Sequence, residues 1–93
     1  QAIAQDGPKL IGLLAAINSP AERAKWEVSP FAISNDYMGV GIPKGETQLT
    51  DFVNSTLREM EANGQAGKIY DKWFGPQTKT ALPRIYKIGD KTK

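Results

Sequence analysis

The chain has neither cysteine nor histidine. It can therefore build no Cys/His metal site, no Cys–His nucleophile and no Ser-His-Asp relay. The lack of cysteine does not locate the chain, because oxidising and reducing compartments both accept cysteine-free proteins. Nothing approaches the roughly 20 consecutive apolar residues that a bilayer-spanning helix needs, so no membrane insertion is expected. Phosphate-cradling glycine motifs are missing too: Gly39 and Gly41 stand two apart, with neither a G-x-G-x-x-G nor a Walker pattern around them. Internal repeats and low-complexity segments are absent. The chain opens on Gln1-Ala2-Ile3-Ala4, without Met or a signal-peptide pattern. That opening resembles the interior of a strand and leads us to expect a fragment whose targeting segment lies upstream.

What is present suits one small domain. A chain of 93 residues buries only about 60% of the surface its unfolded form exposes. Two Trp, three Tyr and three Phe are available to seed a core. The net charge of +2 is unevenly placed: after Gly75, Lys79, Arg84, Lys87, Lys91 and Lys93 face Asp90 alone. Such a tail reads either as a nucleic-acid contact or as a solvated basic terminus. Tyr86 by itself is no stacking platform and no RNA motif accompanies it, so no nucleic-acid partner is expected.

In chain order, Ala2-Ile3-Ala4 reads as a short strand buried on both faces. Asp6-Gly7-Pro8 then stops it and starts a helix, with Asp a favoured N-cap and Pro accepted in the first turn. Leu10, Leu13, Leu14 and Ile17, widened by Ile11, form its apolar stripe, and Asn18-Ser19-Pro20 ends it. Residues 20–27 read as a polar surface connection with room for a helical turn. Trp26 to Ser34 is extended but broken by Pro30, and Ser34-Asn35-Asp36 is a turn cluster. Tyr37 to Ile42 reads as a second strand, whose two glycines predict close approach of another backbone. Pro43-Lys44-Gly45 breaks it. Leu49, Phe52, Val53, Thr56, Leu57 and Met60 then recur at helical spacing, from a start at Glu46 or Thr47 to a left-handed cap at Asn63-Gly64. Gln65 to Phe74 predicts another helix, stopped by Gly75-Pro76, with Trp73 and Phe74 expected in the core. Leu82, Ile85, Tyr86 and Ile88 are docking points for an extended tail.

Few residues invite a functional reading. Asp6 stands at the carboxyl end of a strand and the mouth of a helix. There it either caps the helix or accepts charge-assisted hydrogen bonds from a ligand ammonium. Gln5 beside it is a neutral hydrogen-bonding candidate. Tyr37 opens its segment after a turn and can reach a cleft, or pack as a core or hinge tyrosine. Glu59 and Glu61 are assigned to the solvated face of their helix, not to acid–base chemistry. No catalytic residue, cofactor or metal site emerges.

The run Y-M-G-V-G-I-P-K-G-E-T-Q-L-T-D-F-V-N-S-T-L-R-E-M-E-A-N-G-Q-A-G-K-I-Y-D-K-W-F-G resembles the C-terminal third of family 3 extracellular solute-binding proteins of bacterial ABC importers. The shared features include Tyr37, Gly39, Lys44, Val53-Asn54, Leu57 and Gly64, and they end in Ile69-Tyr70-x-Lys72-Trp73-Phe74-Gly75. Upstream, A-I-A-Q-D-G-P-K-L is similar to the family's strand and turn. Gly7-Pro8 departs from it, standing where the family usually carries acidic or polar residues. The resemblance covers residues 1–75, and the tail is only loosely similar.

The resemblance implies an α/β fragment of a two-lobe type II periplasmic-binding fold: the end of the second lobe, a hinge strand, then the C-terminal strand and helices of the first lobe. Residues 1–34 would be the terminal strand–helix portion of the second lobe plus the hinge approach. Residues 35–93 would hold the returning hinge strand and the C-terminal part of the first lobe with its basic tail, with the hinge at Asp36 and Tyr37. It further implies a non-enzymatic, periplasmic or lipid-anchored extracellular protein that binds a glutamate-, aspartate- or glutamine-like amino acid for an ABC permease. Asp6 would receive the ligand ammonium, with Gln5 adjoining. The carboxylate-binding Arg and the covering aromatic would lie in a missing N-terminal portion. Two alternatives stay open: an amino-acid-derived dehydratase on the same fold, and a complementing or engineered fragment of a binding protein.

Overall fold

The computed structural model describes residues 1–90; the expectations resting on Lys91 and Lys93 lie outside them. Its helices among these residues are α1 (Gly7–Ala15), α2 (Pro20–Arg23), α3 (Thr47–Ala62) and α4 (Gln65–Phe74). Pro8 occupies the first turn of α1, and the Asp6 carbonyl accepts the Leu10 N–H at 3.1 Å. The helix ends two residues earlier than its apolar stripe, at Ala15, where Ile17 N–H turns back to the Leu14 carbonyl at 3.2 Å. The Ser19 hydroxyl accepts Glu22 N–H and Pro20 starts α2, so Ser19-Pro20 begins a helix as it ends another. Arg23 Nε donates to the Ile17 carbonyl at 3.1 Å, tying α2 to the end of α1.

The helices α3 and α4 pack against each other through a tight corner. Gly64 sits there at φ +84°, a conformation that costs a side-chain-bearing residue about 1 kcal/mol or more. The Asn63 side-chain oxygen accepts the Gln65 N–H at 2.9 Å, satisfying one of the orphan donors at the start of α4. At the far end of α4, Gly75 is the one residue among those described that is buried. A Cβ on Gly75 would stand 2.4 Å from the Asp71 carbonyl oxygen. Only glycine lets the chain turn back that closely. The turn is fixed by Thr78 Oγ1 donating to the Gly75 carbonyl at 2.6 Å and Leu82 N–H donating to the Phe74 carbonyl at 3.0 Å.

No strand occurs among the described residues. Residues 2–4 and 37–42, both expected as strands, are irregular and lack a ladder. A strand exists only through the hydrogen bonds of a neighbour, and these two find none. The predicted close approach at Gly39 and Gly41 is absent as well, since a Cβ at either would meet nothing within 4 Å. The α/β layering is thus reduced to its helices.

No hydrophobic side chain among the described residues is fully buried. The accessible surface is 8340 Å², against about 5,300 Å² for a compact protein of this mass. The radius of gyration, 16.5 Å, likewise exceeds the roughly 12 Å of a compact chain this long. Trp73, expected in the core, is 61% exposed and carries Lys72 Nζ over its ring at 5.4 Å. Its neighbour Phe74 is half-buried beside Tyr70, ring centroids 5.2 Å apart. On its own the chain supplies one side of a core.

Candidate functional site

Asp6 occupies the N-cap position of α1 with φ −58° and ψ 138°, yet its side chain makes no capping hydrogen bond. The side-chain cap that the sequence allows is therefore not made. Its backbone starts the helix, while its carboxylate is exposed and uncommitted to the cap. The position is favourable for a carboxylate, because the N-terminal end of a helix carries partial positive charge. Gln5 precedes it, equally exposed.

The remaining candidates lie elsewhere. Asp36 accepts a hydrogen bond from Ser34 Oγ at 3.1 Å, holding the turn that precedes Tyr37. Tyr37 is half-exposed and meets the ring of Tyr86, centroids 5.5 Å apart and planes inclined at 57°. Concave surface is found away from Asp6. A cleft of about 450 Å³ lies between the apolar side of α1 (Ile11, Leu14), Ile17 just past its end, and the tail at Lys79 and Ala81, with Arg23 at its rim. A smaller one, about 270 Å³, runs between residues 38–42, the α3 side chains Val53 and Leu57, and Ile88-Gly89. Neither is lined by Gln5 or Asp6. Among the described residues no group of three or more acidic side chains is placed to hold a metal ion.

The spacing of α3 predicts Glu61 on the solvated helix face, whereas in the structure its carboxylate is engaged. Its carboxylate accepts two hydrogen bonds from Arg84, one of them Nη1 to Oε1 at 2.9 Å, and a third from Ile88 N–H at 2.9 Å. The Arg84 side-chain bond, joined by the Ile88 backbone bond, lowers the Glu61 pKa from 4.5 to about 2. The same bond raises that of Arg84. Arg84 also stands over the Tyr70 ring at 5.9 Å, and burial pushes the Tyr70 hydroxyl up. That hydroxyl donates to the Leu82 carbonyl at 2.8 Å. The sequence signal for this cluster was an Arg in a tail that also carried Leu82 and Ile88. What it lacked was any indication of which carboxylate the Arg would reach.

Residues 2–76 match the model of the bacterial extracellular solute-binding proteins, family 3. The chain belongs to that family. Membership brings the type II periplasmic-binding fold and a role in solute binding for transport, in proteins that are generally non-enzymatic and typically periplasmic or extracellular. No solved structure matches the chain. Asp6, Gln5, Asp36 and Tyr37 all fall inside the matched stretch, as does Glu61, whereas Arg84, Tyr86 and Ile88 lie beyond it.

Proposed function

We propose that this family 3 chain supplies one wall of an extracytoplasmic site for a polar amino acid of the glutamate, aspartate or glutamine kind. The solute is delivered to the permease of an ABC importer. Residues 1–34 close the second lobe and 35–93 complete the first, with the crossing at Asp36-Tyr37. Asp6 neutralises the ligand ammonium from the second lobe, Gln5 adds a neutral contact, and lobe closure excludes water around both. The closed, loaded form is the one recognised by the permease, a population shift driven by tighter binding to that form.

The observation that carries this reading is the carboxylate of Asp6, exposed at a helix start and not spent on the cap. An acid that serves only its helix bonds the free N–H groups of the first turn. Titration calorimetry of the complete binding protein with L-glutamate, L-aspartate and L-glutamine tests it. Asp6→Ala should weaken the tightest of these by about 2–5 kcal/mol, the cost of leaving a buried charge unpartnered. Unchanged affinity would remove Asp6 from the site.

A further inference from the structure

Residues 82–90 lie beyond the matched stretch, yet they are fastened to it at three points. Tyr70 hydroxyl donates to the Leu82 carbonyl, Arg84 forks onto the Glu61 carboxylate, and Ile88 N–H donates to that same carboxylate. The end is closed by a turn in which Asp90 Oδ2 accepts Lys87 N–H at 2.9 Å and Asp90 N–H donates to the Lys87 carbonyl at 3.1 Å. The anchors sit on both α3 (Glu61) and α4 (Tyr70), so the segment crosses the corner between these helices. Tyr86 stands midway between the anchors at 84 and 88, and its ring meets that of Tyr37. Beyond that contact, Ile88 and Gly89 face Met38, Val40 and Ile42 across the small cleft on α3.

We propose that residues 82–90 form a positioning strap that ties the crossing segment at Tyr37 to the α3–α4 corner. Through Tyr86 the strap sets how far the two lobes stand open when no solute is bound. This rests on the two-lobe reading above. Rotation of the second lobe about the crossing segment turns the backbone at Asp36-Tyr37, the hinge itself, against what is fixed to α3 and α4. A ring held between two anchors resists that motion by the free energy of the contact it loses. Tilted aromatic pairs correspond to a roughly two- to tenfold change in a two-state equilibrium. Anchoring matters as much as the ring: a tyrosine on an unpinned tail would follow Tyr37 and bias nothing. The Glu61–Arg84 pair therefore acts on lobe opening without touching solute.

The test is single-molecule energy transfer in the complete, solute-free protein, with dyes at Glu22→Cys in α2 and Gln65→Cys in α4. Tyr86→Ala should shift the ratio of open to closed molecules roughly two- to tenfold, while Tyr86→Phe keeps it. Arg84→Met, which frees the strap but leaves the ring, should shift it in the same direction as Tyr86→Ala. Tyr37→Ala combined with Tyr86→Ala should shift it by less than the sum of the two single shifts, as expected for residues that share a contact. Should Tyr86→Ala fail to fold, Tyr86→Leu preserves apolar bulk and the same comparison holds. An unchanged ratio in these variants, additive effects in the pair, or a single interlobe distance in every variant overturns the proposal. Because the readout is made without solute, it stands or falls separately from Asp6, whose part is judged by amino-acid affinity alone.

Discussion

The two halves of this chain are held together in different ways. Between Gln1 and Asp36, the side-chain hydrogen bonds of Ser19 to Glu22, Arg23 to Ile17 and Ser34 to Asp36 are local. From Glu46 to Asp90 such bonds reach across the sequence, with Arg84 and Ile88 meeting Glu61, and Tyr70 meeting Leu82. The first half carries the candidate ligand group, and it leaves Phe31, Ile33 and Met38 more than four-fifths exposed. The second half carries the corner, the anchored segment 82–90 and the one residue that is buried among those described. The lesson is a division of labour: the part that carries the candidate ligand group depends on other surfaces for its shape, and the part built on the α3–α4 corner is nearer to standing by itself.

The largest effect that would sharpen this contrast is at Asp6. Asp6→Ala in the complete protein should cost about 2–5 kcal/mol of amino-acid affinity and leave the urea midpoint nearly unchanged, because the carboxylate holds no helix cap. Next comes Gly75→Ala, which should do the reverse. Its Cβ meets backbone, not a flexible side chain, at 2.4 Å, so a stability loss of about 1–3 kcal/mol is expected with affinity preserved. Equal loss of affinity in both variants would break the comparison. Gly64→Ala, at φ +84°, should destabilise by about 1 kcal/mol, measured by the same urea midpoint.

The finest effect is a pH dependence. The folded state lowers the Glu61 pKa from 4.5 to about 2. Its stabilising contribution is therefore complete above about pH 4.5 and is lost as the pH falls towards 2. The stability difference between the parent and Glu61→Gln should be constant from pH 7 to 5 and shrink below 4.5. A difference that persists unchanged at pH 2 would mean that the Arg84 bond does not depend on the charge of Glu61. Hydrogen exchange of the 93-residue chain offers a direct view of the contrast. Amides of α3 and α4 should be protected and those of residues 1–6 and 31–42 should exchange freely, since no ladder covers them. Protection appearing in 37–42 on addition of the rest of the binding protein would place that segment in a sheet built jointly.

Much of the helical part was legible beforehand. The starts and stops of α3 and α4 follow from Lys44-Gly45, Asn63-Gly64 and Gly75-Pro76, because each pair fixes backbone angles irrespective of what lies nearby. Asp6 was legible as a candidate by its place before Gly7-Pro8, although its position alone could not say whether its carboxylate would cap. The strands at 2–4 and 37–42 were not determined by their apolar residues, since apolar content says that a segment wants cover and not that cover is at hand. Glu61 departs from the expected solvated face for a related reason. Its spacing on α3 placed it beside Glu59 on the polar side, and spacing describes only the helix that carries a residue.

The sequence by itself determined which segments coil, where they turn, and the family to which the chain belongs, because these depend on local backbone preference and on the order of residues. Tertiary structure alone decided that Arg84 would cross 23 residues to reach Glu61, that Tyr86 would rest on Tyr37, and that Trp73 would face solvent. Those outcomes depend on how the corner between α3 and α4 directs the returning chain, and on whether a second surface arrives to bury what the helices present.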